Sequence, residues 1–364
     1  MVKRLFATVL TLAWICGVYG QEARKYSNVF LELGVGARAG GMANCQTATV
    51  SDVTSGYWNP AGLPYSAEKH ELALMHAEYF AGVAKFDYAG FSTRIDTNRR
   101  IGLTVLRFGV DDIPNTLDIR DGTGYDFARI TGFSVADWAF IVSYGQKLGI
   151  VPGLSVGGSV KVVNRTVGPF ATAWGFGLDV GAQYRRKNLF VGLNYRDMTG
   201  TFNAWTFNTE TFEEAFKQSG QEIPQNNVEI TLPSLRFGAG YRFLFLYNKL
   251  SLTPALEFDM FFDGKRNVPV NAGRMSLDPK AGLEIGYRDI VYLRGGVMNI
   301  QEVRDERGRP VWTAAPTVGA GFSFAPFTKL KLSIDYTLSN LTGFSANLYA
   351  HLVSLRFGFN KVQL

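Results

Sequence analysis

Ser234-Leu235-Arg236-Phe237-Gly238-Ala239-Gly240-Tyr241-Arg242-Phe243 puts an apolar or aromatic residue at every odd position and Ser, Gly or Arg at every even one. Successive side chains of an extended chain point to opposite faces, so this stretch reads as a strand with one apolar face and one small or charged face. The same alternation returns along the chain. Leu330, Leu332, Ile334 and Tyr336 alternate with Lys331, Ser333 and Asp335; Leu189, Val191, Leu193 and Tyr195 alternate with Gly192, Asn194 and Arg196; Ala281, Leu283, Ile285 and Tyr287 alternate with Gly282, Glu284, Gly286 and Arg288.

A soluble sandwich also alternates, but three features favour a barrel whose apolar face meets lipid. The polar face is rich in Gly and Ser as well as charge, as a crowded lumen requires. The apolar face often ends in Tyr, Phe or Trp, as an interfacial girdle does. The connections are short at one end and long at the other. Fourteen strands are expected, at about 69–78, 85–94, 100–108, 136–147, 153–163, 173–185, 188–197, 232–244, 249–262, 279–288, 290–298, 313–324, 329–338 and 347–360. The turns after even-numbered strands are short, whereas 109–135, 198–231, 263–278 and 299–312 are long. An even strand number brings both termini to the side of the short turns, and closure removes the edges of so large a sheet. The fold class is therefore all-β, a 14-stranded antiparallel transmembrane barrel. Arg196, Arg236, Arg242, Glu257, Asp259, Glu284, Lys331, Asp335 and Arg356 all fall on the non-apolar face. A register slip of one would turn several of them into lipid, at roughly 2–4 kcal/mol for each Lys or Arg near the midplane.

Composition agrees. Of 364 residues 40 are Gly, 14% are aromatic and only 19% are charged, which favours strands and turns and leaves ample apolar surface against disorder. Beyond the first twenty residues no apolar run is long enough for a transmembrane helix. The net charge of +6 is scattered, with no basic helix or stripe, so nucleic acid is not an expected partner.

Lys3 and Arg4 precede an apolar run from Leu5 to about Val18, followed by Val18-Tyr19-Gly20. Residues 1–20 read as a secretory signal peptide, with Gln21 first in the mature chain. Cys16 leaves with it, so Cys45 stands alone and no internal disulfide is expected. Residues 21–68 do not read as strand and hold Gly34, Gly36, Gly40 and Gly41, then Asn59-Pro60-Ala61-Gly62; they are expected to fold into the barrel of 69–364 as a plug. In the loop 198–231, Thr209 to Gly220 reads as a short helix, capped by Thr209, with Glu210 and Glu213 in its first turn. Phe212 and Phe216 share one face, and with Phe207 they are candidate partner contacts.

Two stretches carry a family resemblance. Phe30-Leu31-Glu32-Leu33-Gly34-Val35-Gly36-Ala37-Arg38-Ala39-Gly40-Gly41-Met42, then Asp52 and Tyr57-Trp58-Asn59-Pro60-Ala61-Gly62-Leu63, resemble the N-terminal signature of the PorV/PorQ family, a branch of the FadL-like outer-membrane barrels. The Asn-Pro-Ala-Gly step is shared widely with FadL-type transporters; the Gly-Val-Gly-Ala-Arg run is more specific. The resemblance implies a bacterial outer-membrane protein linked to type IX secretion, with Gly34, Gly36, Arg38, Trp58, Asn59, Pro60 and Gly62 as its structural plug motif. It also implies partners: the type IX translocon, or the C-terminal domains of secreted substrates, held at the extracellular loops. A FadL-like transporter of hydrophobic small molecules is the alternative.

No enzymatic constellation accompanies these signals, and no cofactor or metal is expected. Gly153-Leu154-Ser155-Val156-Gly157 fits the hydrolase pattern G-x-S-x-G, but the alternation continues through Val160 and Val162, so Ser155 is a strand residue rather than an elbow nucleophile. Gly34, Gly36 and Gly40 lack the spacing of a dinucleotide loop. His70, His76 and His351 lack metal-ligand spacing, and the acidic loop around Asp118, Asp121 and Asp126 lacks a bidentate Glu for Ca²⁺.

Overall fold

The computed structural model describes residues 27–117, 119, 124–211, 228–304, 307–327, 330–340 and 349–360. The expected signal peptide lies outside them. Eighteen paired stretches make one antiparallel sheet. They assemble into fourteen strands: β1 His70–Tyr79, β2 Ala84–Arg94, β3 Arg99–Asn115, β4 Thr131–Lys147, β5 Leu154–Val167, β6 Ala171–Arg186, β7 Leu189–Arg196 with Thr201–Phe207, β8 Val228–Thr231 with Ser234–Tyr241 and Phe243–Phe245, β9 Leu250–Phe261, β10 Met275–Tyr287, β11 Val291–Arg304, β12 Pro310–Phe327, β13 Leu330–Asn340 and β14 Tyr349–Phe359. Val270–Ala272 adds a short hairpin arm on β10.

The two interrupted strands break where their chemistry requires it. In β7, Asp197 leaves the ladder with φ +52° and receives Lys161 Nζ at 2.6 Å. In β8, Pro233 has no N–H to give to a ladder.

The sheet closes between β1 and β14, in a ladder running from His70 opposite Phe359 to Glu78 opposite His351. At the foot of that seam the Lys69 N–H donates to Asn360 Oδ1 at 3.0 Å, and Asn360 Nδ2 donates to Glu68. The fourteen expected strands are all present. Several run further toward the long-loop end than the alternation indicates: β3 reaches Asn115, β4 starts at Thr131, β7 resumes as far as Phe207, and β11 and β12 extend to Arg304 and from Pro310.

Leu103, Val142, Leu193, Phe237, Leu256, Leu293, Val318 and Ile334 point outward and are exposed. Trp174, Tyr241, Tyr287, Phe322, Tyr336 and Tyr349 are exposed aromatics on the same surface. An apolar belt with aromatics on a closed barrel is the surface of an outer-membrane protein, and that is the setting of this chain. Inward, Arg196, Arg236, Glu257, Asp259, Glu284 and Asp335 are buried, as the alternation requires.

One sector departs from a uniformly polar lumen. In β1 to β3 the inward residues Met75, Tyr79, Phe86, Tyr88 and Leu106 are buried and largely apolar, and His76, Asp87 and Arg107 face outward, although Glu71 and Arg100 form a buried inward pair at 3.7 Å. There His76 Nδ1 lies 2.7 Å from Asp87 Oδ1, and Arg107 lies 3.8 Å from Asp87.

Candidate functional site

Residues 27–66 are almost entirely buried and fold as short helices and turns: Val29–Glu32, Ala37–Gly41, Ser55–Trp58 and Pro60–Tyr65. Their partners are the inward side chains of the strands, so the segment occupies the lumen and crosses it from one wall to the other.

On one side it packs by apolar contact. Phe30, Leu31, Val35, Tyr57 and Trp58 share one cluster with Met75, Tyr79, Phe86, Tyr88, Leu106, Ile141 and Val163. Trp58 meets Tyr57 edge-on at 4.9 Å, and its Nε1–H donates to the Val35 carbonyl at 3.0 Å, so the indole is satisfied without water. Tyr57 Oη accepts from the Gly34 N–H at 3.2 Å and donates to the Leu31 carbonyl at 2.5 Å. Gly34 stands at φ +90°, where a side chain is strained, and a methyl group there would lie 2.7 Å from the Asn44 side-chain amide.

On the other side the segment is held by ions. Arg38 forks onto Glu284 through Nε at 2.9 Å and Nη2 at 3.2 Å. Glu284 also receives Arg294 Nε at 2.7 Å, and Arg294 Nη1 reaches Asp335 Oδ1 at 2.7 Å. Asp52 pairs with Arg356 and accepts from Thr54. Burial would raise the Asp52 carboxyl, but Arg356 and Arg38 outweigh it and hold it below the usual carboxylate range. The Thr47 N–H donates to Glu257 at 2.8 Å.

Asn59 ties the segment to the sheet. Its Oδ1 accepts the Ala61 N–H at the start of the Pro60–Tyr65 turn, and its Nδ2 donates to the Thr47 carbonyl at 2.8 Å and the Ala182 carbonyl at 3.2 Å. Pro60 lies flat on the wall. Gly145, Gly157 and Gly181 are ladder partners in β4, β5 and β6, and Pro60 or Asn59 takes the space of the side chain each lacks. A methyl group on Gly157 would stand 2.5 Å from the Pro60 carbonyl carbon. The row continues with Gly192 and Gly238 under Thr47 and Ala48, then Gly282 and Gly296 under Met42 and Ala43. This glycine track is the contact surface that motif reading overlooks. Its signal was inward Gly recurring in successive strands.

Gly36 also has positive φ, at +87°, with its N–H against Met75 Sδ, and a methyl group on Gly62 would meet the Val50 carbonyl at 2.5 Å. The plug-motif residues Gly34, Gly36, Arg38, Trp58, Asn59, Pro60 and Gly62 therefore gather in one filled lumen. Ser155 belongs to it too, its hydroxyl donating to the Ala61 carbonyl at 2.7 Å. Cys45 is a buried free thiol whose pKa burial pushes up. No group of His, Cys, Asp or Glu among the described residues is arranged to hold a metal.

Two cavities flank the segment. One of about 360 Å³ lies toward the long loops, between Val29 and Leu33 of the segment and Tyr79, Arg236, Phe261 and Asp278 of the wall. The other, of about 540 Å³, lies toward the short turns, among Tyr65, Glu68, Arg185, Lys187, Lys331 and Arg356. At the long-loop rim Phe207 is half-buried at the end of β7 and stacks on Trp205 at 6.2 Å. Thr209–Thr211 forms a short turn at the start of the expected helix; Phe212, Phe216 and the rest of that helix lie outside the described residues.

A family model for "Type IX secretion system protein PorV" matches residues 21–263. This chain belongs to the PorV family. No curated protein sequence matches it. Among solved structures it is similar to the toluene transporter TodX of Pseudomonas putida (TM-score 0.54, 12% identity, covering 90% of this chain and 98% of that one). It is also similar to the toluene transporter TbuX of Ralstonia pickettii (TM-score 0.53, 13% identity, 90% and 99%) and to a Pseudomonas aeruginosa FadL homologue (TM-score 0.51, 12% identity, 90% and 98%). At such identities these likenesses establish a shared FadL-like barrel fold. Membership of PorV ties the chain to type IX secretion and sets it among secretion components rather than enzymes.

Proposed function

We propose that this PorV-family barrel is an accessory of type IX secretion that grips exported substrates or the translocon at its long-loop end, with residues 21–68 as a fixed plug. The observation that carries the reading is the filled lumen. Residues 27–66 bond to the wall through Arg38, Asp52, Thr47 and Asn59 and lie directly on strand backbone along the glycine track. A barrel so filled is suited to present its rim. The strands that run past the apolar belt at that end enlarge the rim, and the acidic loops 109–135 and 198–231 favour a basic or cation-bridged partner. Residues 1–20 serve as the export signal. The test is affinity capture of the tagged barrel from a secreting strain. Recovery of type IX substrates or the translocon is expected, and recovery of neither overturns the reading.

The fold likeness to toluene transporters supports a second reading, passage of small hydrophobic molecules. Against it, both cavities are lined by charged groups, among them Arg236, Asp259 and Lys280 on one side and Arg185, Lys331 and Arg356 on the other. Reduced uptake of a labelled fatty acid or aromatic hydrocarbon in a deletion strain favours the second reading, and unchanged uptake dismisses it.

A further inference from the structure

The cavity toward the long loops contains two ionisable side chains that the protein leaves poorly matched. Arg236 on β8 is only 3% exposed and makes no hydrogen bond among the described residues. Its one ion-pair partner among the described residues, Asp259, is 3.5 Å away and already bonds Lys280 Nζ at 2.6 Å. Asp278 on β10 has neither an ion pair nor a hydrogen bond among the described residues, and its Oδ1 is buried without a partner. Leaving buried charge without matched hydrogen bonds costs several kcal/mol, so such groups call for an occupant that supplies them.

The ladder fixes their geometry. Arg236 stands opposite Asp259, and Asp259 opposite Asp278, on three adjacent strands. Their Cα atoms at the two ends are thus two strand spacings apart, about 10 Å. Both side chains line the same cavity of about 360 Å³, with Val29, Leu33 and Phe261 as apolar walls. The lining charges balance, Arg236, Arg266 and Lys280 against Glu32, Asp259 and Asp278, so the cavity favours a dipole or zwitterion over a net ion. An occupant must accept from a guanidinium at one end and donate to a carboxylate at the other. A peptide does both.

We propose that this cavity binds a short peptide segment, with a carbonyl or terminal carboxylate on Arg236 and an N–H or terminal ammonium on Asp278. The source of the peptide, a secreted chain held at the rim, rests on the function proposed above; the recognition chemistry does not.

The probe is triglycine, titrated calorimetrically into the detergent-solubilised mature barrel. Saturable one-site binding is expected. Arg236→Gln and Asp278→Asn should each weaken it about tenfold, the value of one good charge-assisted hydrogen bond. Arg242→Gln, in the opposite cavity, should leave it unchanged. Heat-modifiable gel migration reports whether each variant is folded, and Asp278→Asn alone decides the matter if Arg236→Gln does not fold. No binding of triglycine, undiminished binding by folded Arg236→Gln and Asp278→Asn, or binding of octanoate or toluene in its place overturns the proposal. Triglycine binding without capture of secretion partners keeps the cavity chemistry and removes the secretion role; capture without triglycine binding does the reverse.

Discussion

The wall of β1 to β5 and the wall of β8 to β14 hold the same lumenal segment by opposite means. The first offers Met75, Phe86, Tyr88, Leu106, Ile141 and Val163 to Tyr57 and Trp58, and in β1 to β3 turns His76, Asp87 and Arg107 outward while the Glu71–Arg100 pair stays inside. The second offers Glu257, Glu284 and Arg356 to Thr47, Arg38 and Asp52, with a smaller apolar contribution from Ala255, Met298 and Leu352. Apolar contact is non-directional and tolerates small shifts, while paired buried charges fix position and penalise any displacement that separates them. The segment is thus cushioned on one flank and indexed on the other, and the glycine track brings backbone against backbone between them.

Substitutions separate these contributions, and the largest effect is expected where neither wall can yield. Gly157→Leu places a side chain where the Pro60 and Ala61 backbone lies within 2.6 Å. Overpacking of this kind costs about 3 kcal/mol or more. The variant should either fail to fold or release residues 27–66 to added protease, read by mass spectrometry of the fragments. Full protection in a folded Gly157→Leu barrel would contradict the close approach.

Trp58→Ala empties the cushioned flank and should lower stability by about 3–5 kcal/mol, seen as a lower midpoint of guanidinium unfolding. An unchanged midpoint would mean that the apolar flank contributes little.

On the indexed flank, Glu284→Gln removes the charge shared by Arg38 and Arg294, at an expected cost of roughly 3 kcal/mol. Arg38→Met should cost less, because Glu284 keeps Arg294. If Arg38→Met proved the more damaging of the two, Glu284 would not be the hub of the network.

The smallest effect is the acid response of Asp52. Its folded pKa is lowered from 3.8, so its contribution is present above that value and is lost as pH falls through the folded pKa. Protease nicking of residues 27–66 should rise on going from neutral pH to about pH 3 in the wild type, and less in Asp52→Asn. Equal responses would assign the acid sensitivity elsewhere.

Much of this was legible in the sequence because lipid imposes a period of two on every crossing segment. All fourteen strands and the inward placement of Arg236, Glu257 and Glu284 follow from it. The extensions did not follow, because beyond the belt both faces are wet and the period disappears, as at Asp111 and Asp112 of β3. The cushioned flank was hidden for another reason. Around Phe86, Asp87, Tyr88 and Phe91 both faces carry large apolar groups, so alternation gives a period without telling which face is inward. The N-terminal motif was visible as a local signature, but the partners of Arg38 and Asp52 lie 246 and 304 positions away and meet them only through closure of the barrel.

That closure joins the lumenal segment to the closing seam of the cylinder. Glu68 and Lys69 lead straight from the segment into β1 and are fastened to Asn360, just past the end of β14. A pull on the segment along the axis toward the short turns is therefore delivered first to the His70–Phe359 end of the seam. Mechanical load on the filler becomes an unzipping load on the container, and whatever keeps residues 27–66 seated also keeps the wall shut.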